Sequence, residues 1–397
     1  MEQLRLKSNH LISEVPTVFT RALSHDIDWT NRLIGLIGPR GVGKTTMLLQ
    51  QAKSQYGGDP QALYFLMDDI YLAGQSLRQF ASEFRSKGGR HLFIDDIHKH
   101  PQWSLELKNI YETLPDIKVT FAGSSIIEMV KHYANLSQRA HIFNLTTLSF
   151  REYLALEGIA QIPRVDLQTI LRKHIEIATE LVPGLNPTLH LNDYFTKGFY
   201  PIRAAGYESF KRKLEAIVQE TIEVDMNYLE GYDSRNTYKI KQLVNIIAQN
   251  APFKPNLVKI SETIGVHRNT LIGYFFHLER TKLISLLYPS GENVSILQKP
   301  ERVYLGNPNL AQLFGFIQPS RDTLVSNLAV SLLSALFSVQ LVQHNMIDVD
   351  GQWRIAIPQA ARRVRKPKSG GDYYTLIDGY EIGSANRIPL WLMGLLY

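Results

Sequence analysis

The sequence predicts an α/β fold in its first third, with a parallel sheet covered on both faces, followed by mainly helical segments and a strand-bearing tail. Three observations carry this. Short apolar runs alternate with helical patterns, a glycine-rich loop joins the first run to the first helix, and two acids follow the third run directly. A parallel strand needs a long crossover to reach its neighbour, and a helix is the usual crossover, so strand–helix alternation buries both faces of the sheet.

The runs are Leu33–Ile37, Ala62–Leu66, His91–Ile94, Lys118–Ala122 and His141–Leu145. Between them the helical stretches are Thr45–Ser54, Ser76–Arg85, Trp103–Glu112 and Ile127–Ala134. After about Tyr153, amphipathic spacing predicts helices over Asp166–Thr179 and Ser209–Asn227, with Lys197-Gly198-Phe199-Tyr200-Pro201 as a break. From Thr237 to about Leu310 the pattern is helix, helix, tight turn, helix and two short strands. Tyr373–Tyr397 reads as strand-rich. No internal repeat of solenoid period is visible.

A length of 397 residues implies two or three domains. Hydrophobic residues at 44% and charged residues at 20% exclude a mainly disordered chain. The absence of Cys excludes disulfides, thiolate nucleophiles and Cys-based zinc sites, and fits a reducing cytoplasm. The opening MEQLRLKSNHLISEVP lacks the basic start and apolar core of a signal peptide. The apolar run Leu328–Val342 is interrupted by Ser331, Ser334, Ser338 and Gln340. A spanning helix needs about 20 apolar residues, so this stretch is expected as a buried helix and no membrane as a partner. A net charge of +6 permits a polyanionic partner without requiring one.

Residues 38–45 read Gly38-Pro39-Arg40-Gly41-Val42-Gly43-Lys44-Thr45, the pattern GxxxxGK[ST] placed after a strand and before a helix. Its glycines let the backbone wrap phosphates with N–H groups turned inward, and the following helix adds the positive end of its dipole. Nucleotide contacts are expected from Gly38 through Thr46, with Lys44 on the β- and γ-phosphates and Thr45 on Mg²⁺. A metal-holding carboxylate is needed at a strand end. Asp95 is expected to supply it, and Asp96 to orient the attacking water. The pair Asp68-Asp69 also follows an apolar run and fits a loop or capping role better.

The fourth run leads into Gly123-Ser124-Ser125, where Ser124 or Ser125 either senses the γ-phosphate or caps a helix. Arg139 precedes the fifth run. An arginine there either faces a neighbouring subunit's γ-phosphate, a contact worth about 10³–10⁵-fold in rate, or makes an ordinary intrachain ion pair.

With these residues in place, the chain resembles prokaryotic AAA-family ATPases that join a phosphate-loop domain to a winged helix and a C-terminal restriction-endonuclease-like domain of uncharacterised role. The matching stretches are Arg32–Thr46, Leu92–Trp103, Gly123-Ser124-Ser125, Leu148–Tyr153, Gly198–Pro201, Val303-Tyr304-Leu305 and Ile388–Leu392. The resemblance implies a phosphate-loop ATPase domain (AAA/ASCE type) over 1–155, a helical lid over 156–235, a winged helix over 236–310 and a degenerate nuclease-like α+β domain over 311–397. It also implies that Gly198 and Pro201 approach the nucleotide base, whereas the residues alone read better as a plain loop breaker.

Three departures matter. Asp95-Asp96 stands where the family usually has Asp-Glu. Asp is one methylene shorter, and a displacement near 1 Å costs about 10²-fold in rate, so slow turnover is expected. No Glu-x-Lys survives near Gln352–Pro358, so no nuclease activity is expected. Ala122 replaces a common Thr.

In the third segment, Leu257–Ile264, the turn Gly265–Arg268 and Thr270–Arg280 form a helix-turn-helix pattern, with Lys282–Tyr288 and Ser295–Leu305 as a wing around Gly291-Glu292-Asn293. Such a motif presents the start of its second helix to the major groove, here His267, Arg268, Asn269 and Thr270, with Asn269 suited to adenine. The alternative is a winged helix that packs only on protein. The basic run Arg362–Lys368 suits a phosphate backbone or a solvated loop. The chain is thus expected to bind and hydrolyse ATP with Mg²⁺ as a regulatory or remodelling protein. The alternative is a DNA-binding regulator with little turnover. Double-stranded DNA, a second copy of the chain and a protein partner are the candidate partners.

Overall fold

The computed structural model describes residues 1–123, 136–229, 232–290, 299–314, 318–343, 345–357 and 373–397. The helix expected at Ile127–Ala134, both serines Ser124 and Ser125, the wing tip and the basic run lie outside the described residues. The chain forms two compact units, Met1–Thr147 with Glu223–Ser234, and Leu148–Ile222 with Arg235–Tyr397.

The first unit contains helices α1 (Glu2–Glu14), α2 (Leu23–Asp26), α3 (Lys44–Tyr56), α4 (Leu77–Ser86) and α5 (Trp103–Thr113). Its strands are β1 (Leu33–Ile37), β2 (Ala62–Leu66), β3 (His91–Asp95), β4 (Lys118–Gly123) and β5 (His141–Asn144). They form one sheet in the order β2-β3-β4-β1-β5, parallel at every pairing. The expected strands and helices of this unit, among the described residues, are therefore all present within one or two residues of their ends. The strand bearing the acids is separated from the phosphate-loop strand by β4.

The near-continuous apolar runs have a direct cause. Successive residues of a strand point to opposite faces. Leu33, Leu63, Phe65, Leu92, Ile94 and Phe121 bury against α4 and α5 residues such as Phe80, Phe84, Leu107 and Ile110. Ile34, Leu36, Tyr64 and Phe93 bury in the cluster containing Met47, Leu48 and Ala52 of α3. A strand with two dry faces has no use for polar alternation.

Helix α1 carries no motif and is an element beyond those the sequence predicts. Its buried residues Leu4, Ser8 and Ile12 recur at every fourth position. Edge strand β2 leaves an unpaired N–H on Tyr64, and the hydroxyl of Ser8 accepts it at 2.9 Å. The helix thus covers an edge that would otherwise template pairing.

In the second unit the expected helices Asp166–Thr179 and Ser209–Asn227 span Leu167–Leu181 and Tyr207–Glu223. The latter stops four residues early, because the chain turns at Val224 into a short 3-10 segment, Asp225–Tyr228, that belongs to the first unit. Helices Thr237–Asn250, Leu257–Ile264 and Arg268–Arg280 follow, then β6 (Ile284–Leu287) paired antiparallel with β7 (Arg302–Leu305). Gly265 (φ 70°) caps the middle helix in a left-handed conformation suited to glycine.

The remaining chain contains helices Pro308–Phe314 and Arg321–Ser334, then β8 (Val339–Gln343), β9 (Met346–Val349), β10 (Trp353–Ala356), β11 (Tyr374–Ile377) and β12 (Arg387–Pro389). They form a mixed sheet in the order β12-β11-β10-β9-β8. Two expectations change here. The apolar run Leu328–Val342 is not one buried helix: the helix ends at Ser334 and β8 begins at Val339, where the β-branched Val339 and Val342 suit a strand. The C-terminal stretch is strand only in part and closes on a buried 3-10 segment, Leu390–Leu395. Among the described residues no helix is long and apolar enough to cross a membrane.

Candidate functional site

The candidate nucleotide site is built where β1 runs into α3. Gly41 (φ 82°) and Gly43 (φ 98°) hold left-handed backbone conformations that a side chain rarely adopts, so the loop's curl depends on glycine. Gly38 is needed for a different reason: a Cβ there would lie 2.1 Å from the carbonyl oxygen of Leu145. Arg21, buried, braces the loop by donating to the carbonyl of Val42 at 2.6 Å and to that of Thr146 at 3.0 Å.

Lys44 is 7% exposed and folds back over the loop, donating to the carbonyls of Gly38 (2.9 Å) and Pro39 (2.7 Å). Burial lowers its pKa to about 8, against the opposing charges of Asp95, Asp225 and Asp96. Thr45 donates to Oδ2 of Asp95 at 2.5 Å. Tyr64 donates to the same oxygen at 3.0 Å, and the backbone N–H of Asp96 reaches Oδ1 at 2.9 Å. Burial, together with the Asp95 charge, holds the Tyr64 hydroxyl far above its ordinary pKa, so it remains a donor. Thr45 and Asp95 thus meet as expected of a metal-holding pair, and nothing local in the sequence marks Tyr64 as their partner.

A hydroxyl and a carboxylate oxygen side by side at the foot of a phosphate loop form a hard donor set of the kind Mg²⁺ takes. The residues present therefore fit the ion and its nucleotide.

Asp96 takes a left-handed backbone conformation (φ 50°) and pairs with Lys99 at 2.8 Å. Lys99 also holds Asp68 at 2.7 Å. Burial works against the charge on Lys99, but its hydrogen bonds to Asp68 and Asp96 outweigh it and raise the pKa. Asp69, the other acid of that pair, caps a short 3-10 turn by accepting from Tyr71 and pairs with Lys7 at 2.8 Å.

Arg40, the third residue of the loop, is turned onto Asp225 through two bonds, Nε to Oδ2 at 3.0 Å and Nη2 to Oδ1 at 2.7 Å. His98 Nε2 lies 3.9 Å from Asp225 Oδ1 and packs edge-on against Tyr228. Burial alone would raise the Asp225 carboxyl. The hydrogen bonds from His98 and Arg40, with their charge, reverse this and hold it far below the usual carboxylate range.

The other candidate residues sit as follows. Arg139 donates to Glu112 of α5 at 2.6 Å. Gly198 and Pro201 lie in the second unit, where a Cβ on Gly198 would fall 2.1 Å from the Tyr194 ring. The next residues are tied down there too: Asn309 accepts from the N–H of Phe199 at 2.9 Å, and Asn307 donates to the Tyr200 hydroxyl at 3.1 Å. His267, Arg268, Asn269 and Thr270 are all exposed at the start of helix Arg268–Arg280.

Arg21, Tyr64, Lys99, His98 and Asp225 are the residues that sequence reasoning missed. Asp225 is separated from Arg40 by 185 positions, and nothing local marks it.

Residues 30–154 match the family model of an AAA domain, and residues 188–319 match a domain of unknown function (DUF8612). The chain is 25% identical over 284 residues to an uncharacterized protein of Methanocaldococcus jannaschii, a match covering 68% of this chain and 60% of that protein. Among solved structures it is similar to AMPPCP-bound DnaA from Aquifex aeolicus (16% identity, TM-score 0.28, 70% of this chain and 89% of that one). A second likeness is to PCH-2 of C. elegans (13% identity, TM-score 0.24, 70% and 67%). At such TM-scores the fold assignment rests on the chain's own sheet order, its glycine loop and the family match. Residues 30–154 thus form a parallel α/β domain with a phosphate-binding loop, and they match the AAA domain model.

Proposed function

We propose that the chain binds ATP with Mg²⁺ at this loop and hydrolyses it slowly, as a nucleotide-gated regulatory or remodelling protein. The observation that carries the reading is the Thr45–Asp95 pair at 2.5 Å beside the buried Lys44. In this reading the backbone of residues 41–45 and Lys44 cradle the phosphates. Thr45 and Asp95 hold the ion, which when bound neutralises charge on the β- and γ-phosphates. Asp96 orients the attacking water and must leave Lys99 to do so. Ser124 or Ser125 senses the γ-phosphate. Arg139 serves a neighbouring copy's site only when it exchanges Glu112 for that phosphate.

The domain division belongs to the same reading: ATPase core over 1–155, lid over 156–235 with Gly198 and Pro201 toward the base, winged helix over 236–310 and nuclease-like domain over 311–397. The three helices followed by the β6–β7 pair support the winged-helix part. The test is equilibrium binding of a fluorescent ATP analogue by the native chain and Lys44→Ala. Micromolar binding lost in the variant supports the reading, and equal binding sinks it.

A second reading has one specific observation behind it, the exposed His267-Arg268-Asn269-Thr270 at a helix start. Here the chain is a DNA-binding regulator and ATP a switch with little turnover. Gel-shift titration with double-stranded DNA separates the two. Binding that Asn269→Ala weakens favours the regulator. DNA that neither binds nor changes hydrolysis removes it.

A further inference from the structure

The phosphate loop keeps both of its cations on protein acceptors. Lys44 is satisfied by the carbonyls of Gly38 and Pro39, and Arg40 by the carboxylate of Asp225. The second contact is unusual in its source. Asp225 comes from Glu223–Ser234, the stretch after residue 147 that clusters with the phosphate-loop unit, while the chain on either side of it belongs to the second unit.

Asp225 presents two oxygens to the planar fork of a guanidinium. A terminal phosphate presents the same pattern, and arginine binds both bidentately. Asp225 also stands within electrostatic reach of Lys44, where its charge opposes the fall in pKa that burial causes. A carboxylate so close to the cradle occupies the cation that would receive an incoming triphosphate.

We propose that Asp225 is an internal stand-in for the terminal phosphate: it holds Arg40 until a nucleoside triphosphate takes the guanidinium, so Arg40 reads the γ-phosphate and ATP, unlike ADP, releases the Asp225–Tyr228 segment. This rests on the ATP-binding reading above. The release follows from burial. The side chain of Asp225 is only 4% exposed. Once Arg40 leaves, the buried carboxylate loses both guanidinium bonds and keeps the His98 imidazole at 3.9 Å. An under-paired buried charge is costly, so the segment moves toward water. The 3-10 turn that carries Asp225 is only four residues long, which makes it a low-cost element to open. Asp225 is thus a positioning residue that acts through Arg40.

The experiment titrates the full-length protein with a non-hydrolysable ATP analogue and with ADP, in the native form, Asp225→Asn, Arg40→Gln and the double variant. Asp225→Asn is expected to tighten the triphosphate about tenfold, equivalent to 1.4 kcal/mol, and to change ADP less than about threefold. Arg40→Gln weakens the triphosphate, and the double variant binds like Arg40→Gln alone, because the gain runs through the arginine. A gain shared equally by ADP, a gain that survives in the double variant, or weaker triphosphate binding by Asp225→Asn overturns the proposal.

Hydrogen exchange on the native protein keeps the test open if Asp225→Asn misfolds. Amides of residues 225–229 should exchange at least about tenfold faster with the triphosphate than with ADP. Equal or slower exchange overturns the idea. Failure of the parent reading looks different: a native chain that binds neither nucleotide refutes ATP binding itself, and this proposal with it.

Discussion

Thr45 and Asp95 are separated by 50 positions in the chain, and the hydroxyl of one donates to the carboxylate of the other at 2.5 Å. The contact exists because β1 and β3 are parallel members of one sheet, so the loop after β1 and the acid closing β3 emerge at the same end. Ligand sites in open α/β sheets form at that carboxyl end. If the pair holds Mg²⁺, Thr45→Val removes one oxygen at nearly constant volume. The variant should lose most of the difference in ATP affinity between magnesium and EDTA, at least about tenfold, and match the native protein in EDTA. Unchanged magnesium dependence in a fluorescence titration contradicts this role.

Asp96 is held by Lys99 at 2.8 Å, and Lys99 is held in turn by Asp68. The shorter acid and its ion pair both act against hydrolysis. Asp96→Glu extends the carboxylate by a methylene and should raise turnover roughly 10–100-fold. Lys99→Met frees the native acid and should raise turnover by about tenfold, the effect of 1.4 kcal/mol on the barrier. Steady-state phosphate release measures both. If both variants prove slower than the native protein, Asp96 is not the group that orients the water.

Gly198 tests packing against base recognition. A Cβ there meets the ring of Tyr194 at 2.1 Å and its backbone Cα at 2.6 Å. Gly198→Ala should therefore destabilise the second unit by about 1–3 kcal/mol in urea unfolding. If Gly198 also approaches the base, ATP affinity measured well below the transition falls while GTP affinity stays level. Equal affinities for the native and variant proteins leave packing as its whole role.

His91 gives the fold a pH dependence. Its ring lies between Thr120 (2.8 Å) and the Tyr56 hydroxyl (3.2 Å), and burial, aided by the charge of Lys118, lowers its pKa to about 3. The folded value lies below the unfolded one of about 6.5, so the contribution of a neutral His91 is complete above pH 6.5. It is lost as pH falls from 6.5 toward 3, at about 1.4 kcal/mol per unit. Between pH 7.5 and 5 the native protein should lose roughly 2 kcal/mol more than His91→Gln, read from urea unfolding. Parallel losses contradict the assignment.

The sequence exposes the first unit well because its strands are dry on both faces. Five apolar runs bounded by turns leave few other topologies, and the loop pattern fixes which strand carries the phosphates. What stayed hidden has one physical character: contacts between residues far apart in the chain, with no local signature. Ser8 on an edge N–H, Lys99 on Asp68 and Asp225 on Arg40 are of this kind. The end of the helix at Glu223 is hidden too, since the amphipathic pattern continues where the chain turns into the 3-10 segment that carries Asp225. The run Leu328–Val342 is ambiguous in the sequence because composition does not separate a buried helix from a helix followed by a strand.

The most direct test is phosphate release from ATP and Mg²⁺ by the native protein beside Lys44→Ala, each with and without double-stranded DNA. The account predicts slow native turnover that disappears in the variant. Equal turnover in the two proteins, or none from a native protein saturated with ATP, contradicts it.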